Sequence, residues 1–264
     1  MSSDQKHVKK ILKDGYTIVD DLVSLTECEK IKKITKKLYK KYKNSIVVNN
    51  PLEQTIYNLH NKNPIFLKYI DYKKTIDIIK KTLSLGSYEN SDDIIIRQTA
   101  MRNPLKGHAQ QLHNDVRIVG CKFPLVIHVI YMIDDFTLFN GGTRLVPKSH
   151  LKEEYAKNGK VYKNERIITG KKGSALIFNA SSWHGSAKKI NDDERWGMIF
   201  SYSRWFLKSD FDFNKNTPLK VYNKLTLNQK KLMGFNFNPS KDEFTRSSAK
   251  SFKPDLPTKY LLPN

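Results

Sequence analysis

The spacing of apolar positions changes character along this chain and divides it into a helical first part, a strand-rich middle and a polar end. Lys13-Asp14-Gly15 closes a short helical lead, and Tyr16-Thr17-Ile18-Val19-Asp20 then alternates as a strand does. Ser24 and Glu27 stand at the spacing of a capping box. The helix predicted after them carries Cys28, Ile31, Ile34 and Leu38 on one stripe, with lysines on the opposite face. That stripe reads as core and the lysines as a solvated surface. Residues 63–84 read as partly helical, through Phe66-Leu67-Tyr69 and Ile76-Ile78-Ile79, with Gly86 closing them.

From Asp92 onward the pattern belongs to strands. These are Ile94 to Met101, Leu125 to Ile133, Thr143-Arg144-Leu145-Val146, Ala175-Leu176-Ile177-Phe178, and Trp196 to Phe206. Asn140-Gly141-Gly142, Pro147 and Lys172-Gly173 supply turns between them. Several short strands preceded by helices predict an α+β, mainly β fold: a closed or double-sheet core with helices packed outside. Residues 225–232 read as a short helix. Residues 236–264, with Pro239, Pro254, Pro257 and Pro263, read as an extended tail against the core. The expectation is one domain over 1–264, with helical support over 1–90, a core of about 92–206 and a C-terminal helix and tail over 220–264.

A length of 264 residues suits one sizeable core and is short for two full domains. The polar, lysine-bearing start lacks the apolar run of a secretory signal. The most apolar stretch, 124–133, is too short to span a bilayer and contains His128. Two cysteines, Cys28 and Cys121, form no CxxC pair, which argues against a disulfide scaffold or thiolate zinc site and suits a cytoplasmic protein. The net charge of +21 changes the picture less than its size suggests. Its lysines are spread along the chain, so a solvated surface is the simplest reading; anionic substrates suit it and nucleic acid stays open.

Chemistry concentrates at His113-Asn114-Asp115, at His184, and at Arg195 eleven residues later. In a strand, residues two apart share a face, so His113 and Asp115 would point together while Asn114 points away. Two imidazoles and one carboxylate can hold one face of a ferrous ion and leave the other open. An H-x-D triplet alone is a weak signal; a later histidine and arginine strengthen it. A planar guanidinium grips a carboxylate through two parallel hydrogen bonds, where lysine offers a point charge.

Read in order, His113-x-Asp115, Asn140-Gly141-Gly142-Thr143-Arg144-Leu145-Val146-Pro147-Lys148-Ser149-His150, Trp183-His184-Gly185-Ser186 and Arg195 resemble the phytanoyl-CoA dioxygenase family. Asp14 to Asp20 is similar to that family's opening strand, and Leu225 to Phe235 to its C-terminal helix and following turn. The resemblance implies a double-stranded β-helix, a jelly-roll or cupin-like barrel with flanking N-terminal helices. It implies an oxygenase dependent on Fe(II), 2-oxoglutarate and dioxygen, hydroxylating an unactivated C–H bond and releasing succinate and carbon dioxide. It further implies His113, Asp115 and His184 as the metal ligands, Arg195 on the distal carboxylate of 2-oxoglutarate, and Ser186 adding a hydrogen bond there. Gln111 is a candidate donor behind the ligands. Related halogenases lack the carboxylate that Asp115 supplies, which favours hydroxylation.

Two positions depart from the family pattern. Lys148 stands where a glycine is usual. Ile130 takes the place often held by a tryptophan beside the co-substrate, and His128, on the same face, could enter the pocket instead, although a core role is the simpler reading. His150 is expected to fix its loop, His108 to lie on the surface, Arg144 to form a rim salt bridge or reach an acidic substrate, and Trp183 and Trp196 to pack. One of Arg97 and Gln98 is expected to face the site. Residues 44–62, 103–108 and 152–164 are expected to be substrate-shaping loops. A small-molecule substrate, anionic ones included, is the leading expectation. An oxygenase acting on a macromolecule such as nucleic acid, or a non-catalytic binding barrel, are the alternatives.

Overall fold

The computed structural model describes residues 2–44, 52–87 and 94–237. In chain order its elements are α1 (Ser3–Asp14), β1 (Tyr16–Val19), α2 (Leu25–Tyr42), β2 (Glu53–Tyr57), α3 (Leu59–Lys62), a 3-10 turn (Pro64–Tyr69) and α4 (Lys73–Leu83). Then come β3 (Ile94–Pro104), β4 (Val126–Met132), β5 (Thr143–Leu145), β6 (Arg166–Ile167), β7 (Ala175–Asn179), β8 (His184–Ser186) and β9 (Gly197–Arg204). Three short helices follow, α5 (Phe213–Asn216), α6 (Leu219–Tyr222) and α7 (Leu227–Leu232). A six-stranded antiparallel sheet runs β1-β7-β4-β9-β3-β2, and a three-stranded one runs β6-β5-β8. This is the jelly-roll architecture with N-terminal helices that the resemblance implied.

The pleat of β4 explains its unbroken apolar run. Ile127, Val129 and Tyr131 join the core beneath α1, α2 and α4, while Ile130 and Met132 join a second cluster with Leu145, Leu176 and Phe178 between the sheets. With both faces covered, no polar alternation is needed. A register shift between Ile96 and Gln98 interrupts the β3–β9 ladder, so Ile96 faces the helix-side core whereas Gln98 pairs with Ser201 and lines the cleft. An extra residue in one strand reverses the facing of everything after it. Arg97, at the bulge, ion-pairs with Asp210 instead.

Local chemistry fixes the helix ends. Gly15 ends α1 at φ 91°, a left-handed conformation glycine adopts without a Cβ clash. The capping box expected at Ser24 is only half formed. Ser24 accepts from the Glu27 amide at 3.3 Å, but the Glu27 carboxylate is drawn to the Tyr69 hydroxyl at 2.9 Å and to Lys68.

The span 44–62 is not a loop throughout: β2 adds to the edge of the large sheet and α3 follows, while 45–51 lie outside the described residues. The expected tail also lies outside them from 238 onward. β6 and β8 are further strands too short to leave a periodic signal. Cys28 and Cys121 are free thiols, and no described helix is long and apolar enough to cross a membrane.

Candidate metal centre and its cleft

β5 and β8 form a two-strand platform in which Leu145 pairs with His184 and Thr143 with Ser186. His113 joins the free side of β8 through an isolated bridge. The His113 amide donates to the His184 carbonyl at 2.9 Å, and the His184 amide returns the bond at 2.8 Å. His113 and Asp115 do not lie in a regular strand, as the two-residue spacing suggests. The chain bends at Asp115, whose amide donates to the Ala180 carbonyl at 3.1 Å. The side chains nevertheless meet. Asp115 Oδ1 is 3.4 Å from His113 Nε2 and Asp115 Oδ2 is 3.6 Å from His184 Nε2.

All three potential ligand atoms lie within 4.8 Å of one another. Donors set at right angles, each about 2.1 Å from one ion, would be roughly 3 Å apart, so a slight contraction seats a metal. Each histidine is oriented in the same way. His113 Nδ1 lies 2.9 Å from the Gln111 carbonyl and His184 Nδ1 lies 2.8 Å from the Ser182 carbonyl. Donation from Nδ1 selects the tautomer that leaves an Nε2 lone pair facing the metal position. Burial lowers the pKa of His184 despite Asp115, which favours the neutral, ligating form. Burial pushes the Asp115 carboxyl up, but the His128 hydrogen bond and the neighbouring His113 and His184 rings outweigh it and hold the group below the usual carboxylate range. The donor set is two imidazoles and an ionised carboxylate, which fits ferrous iron once the Asp115 carboxylate, which against the effect of burial raises the His113 pKa, is shared with the metal.

His128 belongs to this centre. Its Nε2 is 2.8 Å from Asp115 Oδ2 and its Nδ1 is 2.6 Å from the Ser201 hydroxyl, so β4 and β9 together hold the carboxylate in place. The simpler expectation of a core histidine is corrected: His128 is buried, but it lines the cleft.

Arg195 lies two residues before β9 and is 5% exposed. Its Nη2 donates to the Thr143 hydroxyl at 2.8 Å, and its guanidinium carbon lies 3.9 Å from the centre of the Phe136 ring. Asn103 and Asp134 set the backbone there, accepting from the amides of Arg195 at 2.9 Å and Trp196 at 3.0 Å. Burial lowers the Arg195 pKa to about 10, still charged at neutral pH. No described carboxylate lies within ion-pair distance of it, and its buried Nε has no partner.

Ser186 also lines the cleft, where its hydroxyl accepts from the Gln110 amide at 3.0 Å. Gln111 reaches the centre through its backbone carbonyl, not as the side-chain donor expected; its side chain is exposed. His150 ties its turn to the Leu12 carbonyl at 3.0 Å, and His108 is exposed. Arg144 forms the rim pair with Glu165 at 3.1 Å. Trp183 and Trp196 are buried packing residues. Lys148 adopts φ 65°, which explains why glycine is usual at that position.

The cleft holds about 180 Å³ of accessible space and opens to solvent. Ile130, Phe178 and Ile199 form its apolar wall, while Glu53, Gln98 and Arg102 line it from β2 and β3.

The sequence model of the phytanoyl-CoA dioxygenase family matches residues 11–197. An uncharacterized protein of Mycobacterium tuberculosis is 20% identical over 152 residues, covering 57% of this chain and 56% of its own length. The dioxygenase cdmA of Talaromyces verruculosus is 25% identical over 134 residues, covering 48% of this chain and 45% of its own length. The chain thus spans about half the length of the curated relatives it matches. HygX of Streptomyces hygroscopicus, solved with nickel and 2-oxoglutarate bound, is similar with a TM-score of 0.64 at 12% identity, over 79% of this chain and 89% of that one. At that identity the likeness concerns the fold.

Proposed function

The chain belongs to the phytanoyl-CoA dioxygenase family of iron(II)- and 2-oxoglutarate-dependent oxygenases, and on that premise we propose that it hydroxylates a C–H bond of a small molecule in the cleft around His113, Asp115 and His184. The observation that carries the reading is the pair of Nδ1 contacts from His113 and His184 to backbone carbonyls, beside an ionised Asp115. Histidines held in this tautomer are prepared as ligands. We assign all three as the iron ligands, Arg195 as the anchor of the distal carboxylate of 2-oxoglutarate, and Ser186 as its neighbour.

Each residue then has a physical task. His128 occupies Asp115 Oδ2 and leaves Oδ1 for the metal, which disfavours two-oxygen ligation and keeps a position open for co-substrate. Thr143 fixes one arm of the Arg195 fork, and Phe136 covers one face of its guanidinium, so charge is aimed into the cleft where low dielectric strengthens it. Ile130, Phe178 and Ile199 exclude water beside the co-substrate. Bound iron and 2-oxoglutarate together supply dioxygen activation, with succinate and carbon dioxide as co-products. The carboxylate of Asp115 favours hydroxylation over halogenation.

A small substrate is supported by the lining of the cleft, which contains no lysine among the described residues despite the net charge of +21. A nucleic-acid groove needs basic residues leading to the chemistry. The test is succinate release with iron(II) and 2-oxoglutarate across a metabolite panel. Stimulation by one compound class, lost in His113→Ala, is expected; release unaffected by that change would end the assignment.

A further inference from the structure

Three histidines stand around the metal position, and the group that faces each Nδ1 differs. His113 Nδ1 meets the Gln111 carbonyl and His184 Nδ1 meets the Ser182 carbonyl. A carbonyl only accepts, so both rings carry hydrogen on Nδ1 and present a bare Nε2. His128 has the opposite arrangement. Its Nε2 lies 2.8 Å from Asp115 Oδ2, and its Nδ1 lies 2.6 Å from the Ser201 hydroxyl. An ionised carboxylate also only accepts, so a neutral His128 holds its hydrogen on Nε2 and leaves Nδ1 as an acceptor. A side-chain hydroxyl can donate to that nitrogen, where a backbone carbonyl could not.

The sheet delivers the hydroxyl by register. His128 on β4 pairs with Ser201 on β9, so the two side chains stand next to each other on the cleft face. Both are buried, and among the described residues His128 is the sole hydrogen-bond partner of the Ser201 hydroxyl. Phe178 packs on the His128 ring with centroids 5.0 Å apart and offers Nδ1 no alternative donor. Donation into Nδ1 polarises the ring and strengthens the bond from Nε2 to Asp115. Without that donation a buried acceptor is stranded, and the grip on Asp115 Oδ2 weakens. The other tautomer would aim a nitrogen lone pair at a carboxylate oxygen and add a third bare imidazole nitrogen to the centre.

Resting on the metal reading above, we infer that Ser201 is a positioning residue: its hydroxyl fixes His128 with hydrogen on Nε2, so that this ring orients the Asp115 carboxylate and stays out of the ligand set. The centre thus sorts its histidines by what each Nδ1 meets. Carbonyls prepare His113 and His184 as ligands, and a hydroxyl prepares His128 as a donor. Ser201 acts on the metal only through His128.

The test begins with the full chain, isotope-labelled and free of metal, at about pH 8, above the ordinary histidine pKa. Long-range proton–nitrogen correlation NMR reads which ring nitrogen carries hydrogen, each histidine being identified by its absence from the corresponding Gln variant. His128 is expected with hydrogen on Nε2, and His113 and His184 with hydrogen on Nδ1. Iron(II) affinity is then measured anaerobically by competition against a chelator. Ser201→Ala should lower it about tenfold, whereas Ser201→Thr, which keeps a hydroxyl, should stay within about threefold of wild type. Hydrogen on Nδ1 of His128 in the wild type overturns the inference, as does an iron affinity of Ser201→Ala within about twofold of wild type. Equal weakening by Ser201→Ala and Ser201→Thr overturns it as well, because packing and not the hydroxyl then matters. Failure of the wild type to bind iron(II) at all removes the metal reading, and this inference with it, whichever tautomers are seen.

Discussion

Gly185 lies between a proposed ligand, His184, and Ser186, and its lack of a side chain lets the His113 segment lie against β8. A Cβ there would stand 2.7 Å from the Gln110 carbonyl oxygen and 2.9 Å from that of Gln111, closer than real contacts allow. Neither oxygen can swing aside freely. The Gln110 amide is bonded to the Ser186 carbonyl at 3.1 Å and hydroxyl at 3.0 Å, and the Gln111 carbonyl accepts from His113. We predict that Gly185→Ala forces the 110–115 segment away from β8, at the overpacking cost of about 1–3 kcal/mol. Without metal the segment can yield, so most of that cost falls on the state in which His113, Asp115 and His184 converge. At about 1.4 kcal/mol per decade, ferrous affinity should fall by about 5- to 150-fold although no ligand is removed. Anaerobic competition against a fluorescent iron chelator measures this, with thermal unfolding in excess chelator reporting the fold. Gly159→Ala, at φ 71° with nothing within 4 Å of a Cβ, shows what backbone strain without crowding does to iron affinity, which should stay unchanged. Iron affinity of Gly185→Ala within about twofold of wild type would refute the claim that this contact sets the ligand geometry.

Three further perturbations separate the parts of the centre. Arg195→Lys keeps the charge but loses the fork; 2-oxoglutarate binding by calorimetry should weaken about tenfold while metal binding holds, and equal loss of both would contradict its role. His128→Ala removes the donor on Asp115 Oδ2 and should weaken iron binding about 10- to 100-fold, with partial recovery in His128→Gln; unaltered affinity would make the contact incidental. Lys148→Gly relieves a left-handed residue at φ 65° that is not a ligand and should raise stability in denaturant unfolding by up to about 1 kcal/mol, whereas a clear loss would show that the lysine side chain compensates for its backbone.

The main proposed ligands were legible in the chain because their motifs occur in an ordered series, and the strands that carry the fold were legible from long apolar runs. What escaped the sequence has physical reasons. β4 is buried on both faces, so its run shows no alternation, and which side His128 takes depends on register with β7 and β9. The facing of Gln98 and Arg102 depends on a single bulge, which leaves no mark in composition. β6 and β8, with two and three residues, are too short for any period, and β2 was hidden in a polar stretch whose partner lies far along the chain. The strand expected at His113-x-Asp115 failed for a related reason: one bridge to His184 suffices to place both side chains, and the chain then bends.

The central claim is that three side chains distant in sequence hold one ferrous ion beside a guanidinium that receives 2-oxoglutarate. Anaerobic titration of the protein with iron(II) and 2-oxoglutarate tests it directly, through the visible charge-transfer absorption that arises when a 2-oxo acid chelates ferrous iron. The account predicts saturation at one equivalent of iron, with the absorption lost in His113→Ala, Asp115→Ala and His184→Ala. A band that persists undiminished in all three variants would contradict it.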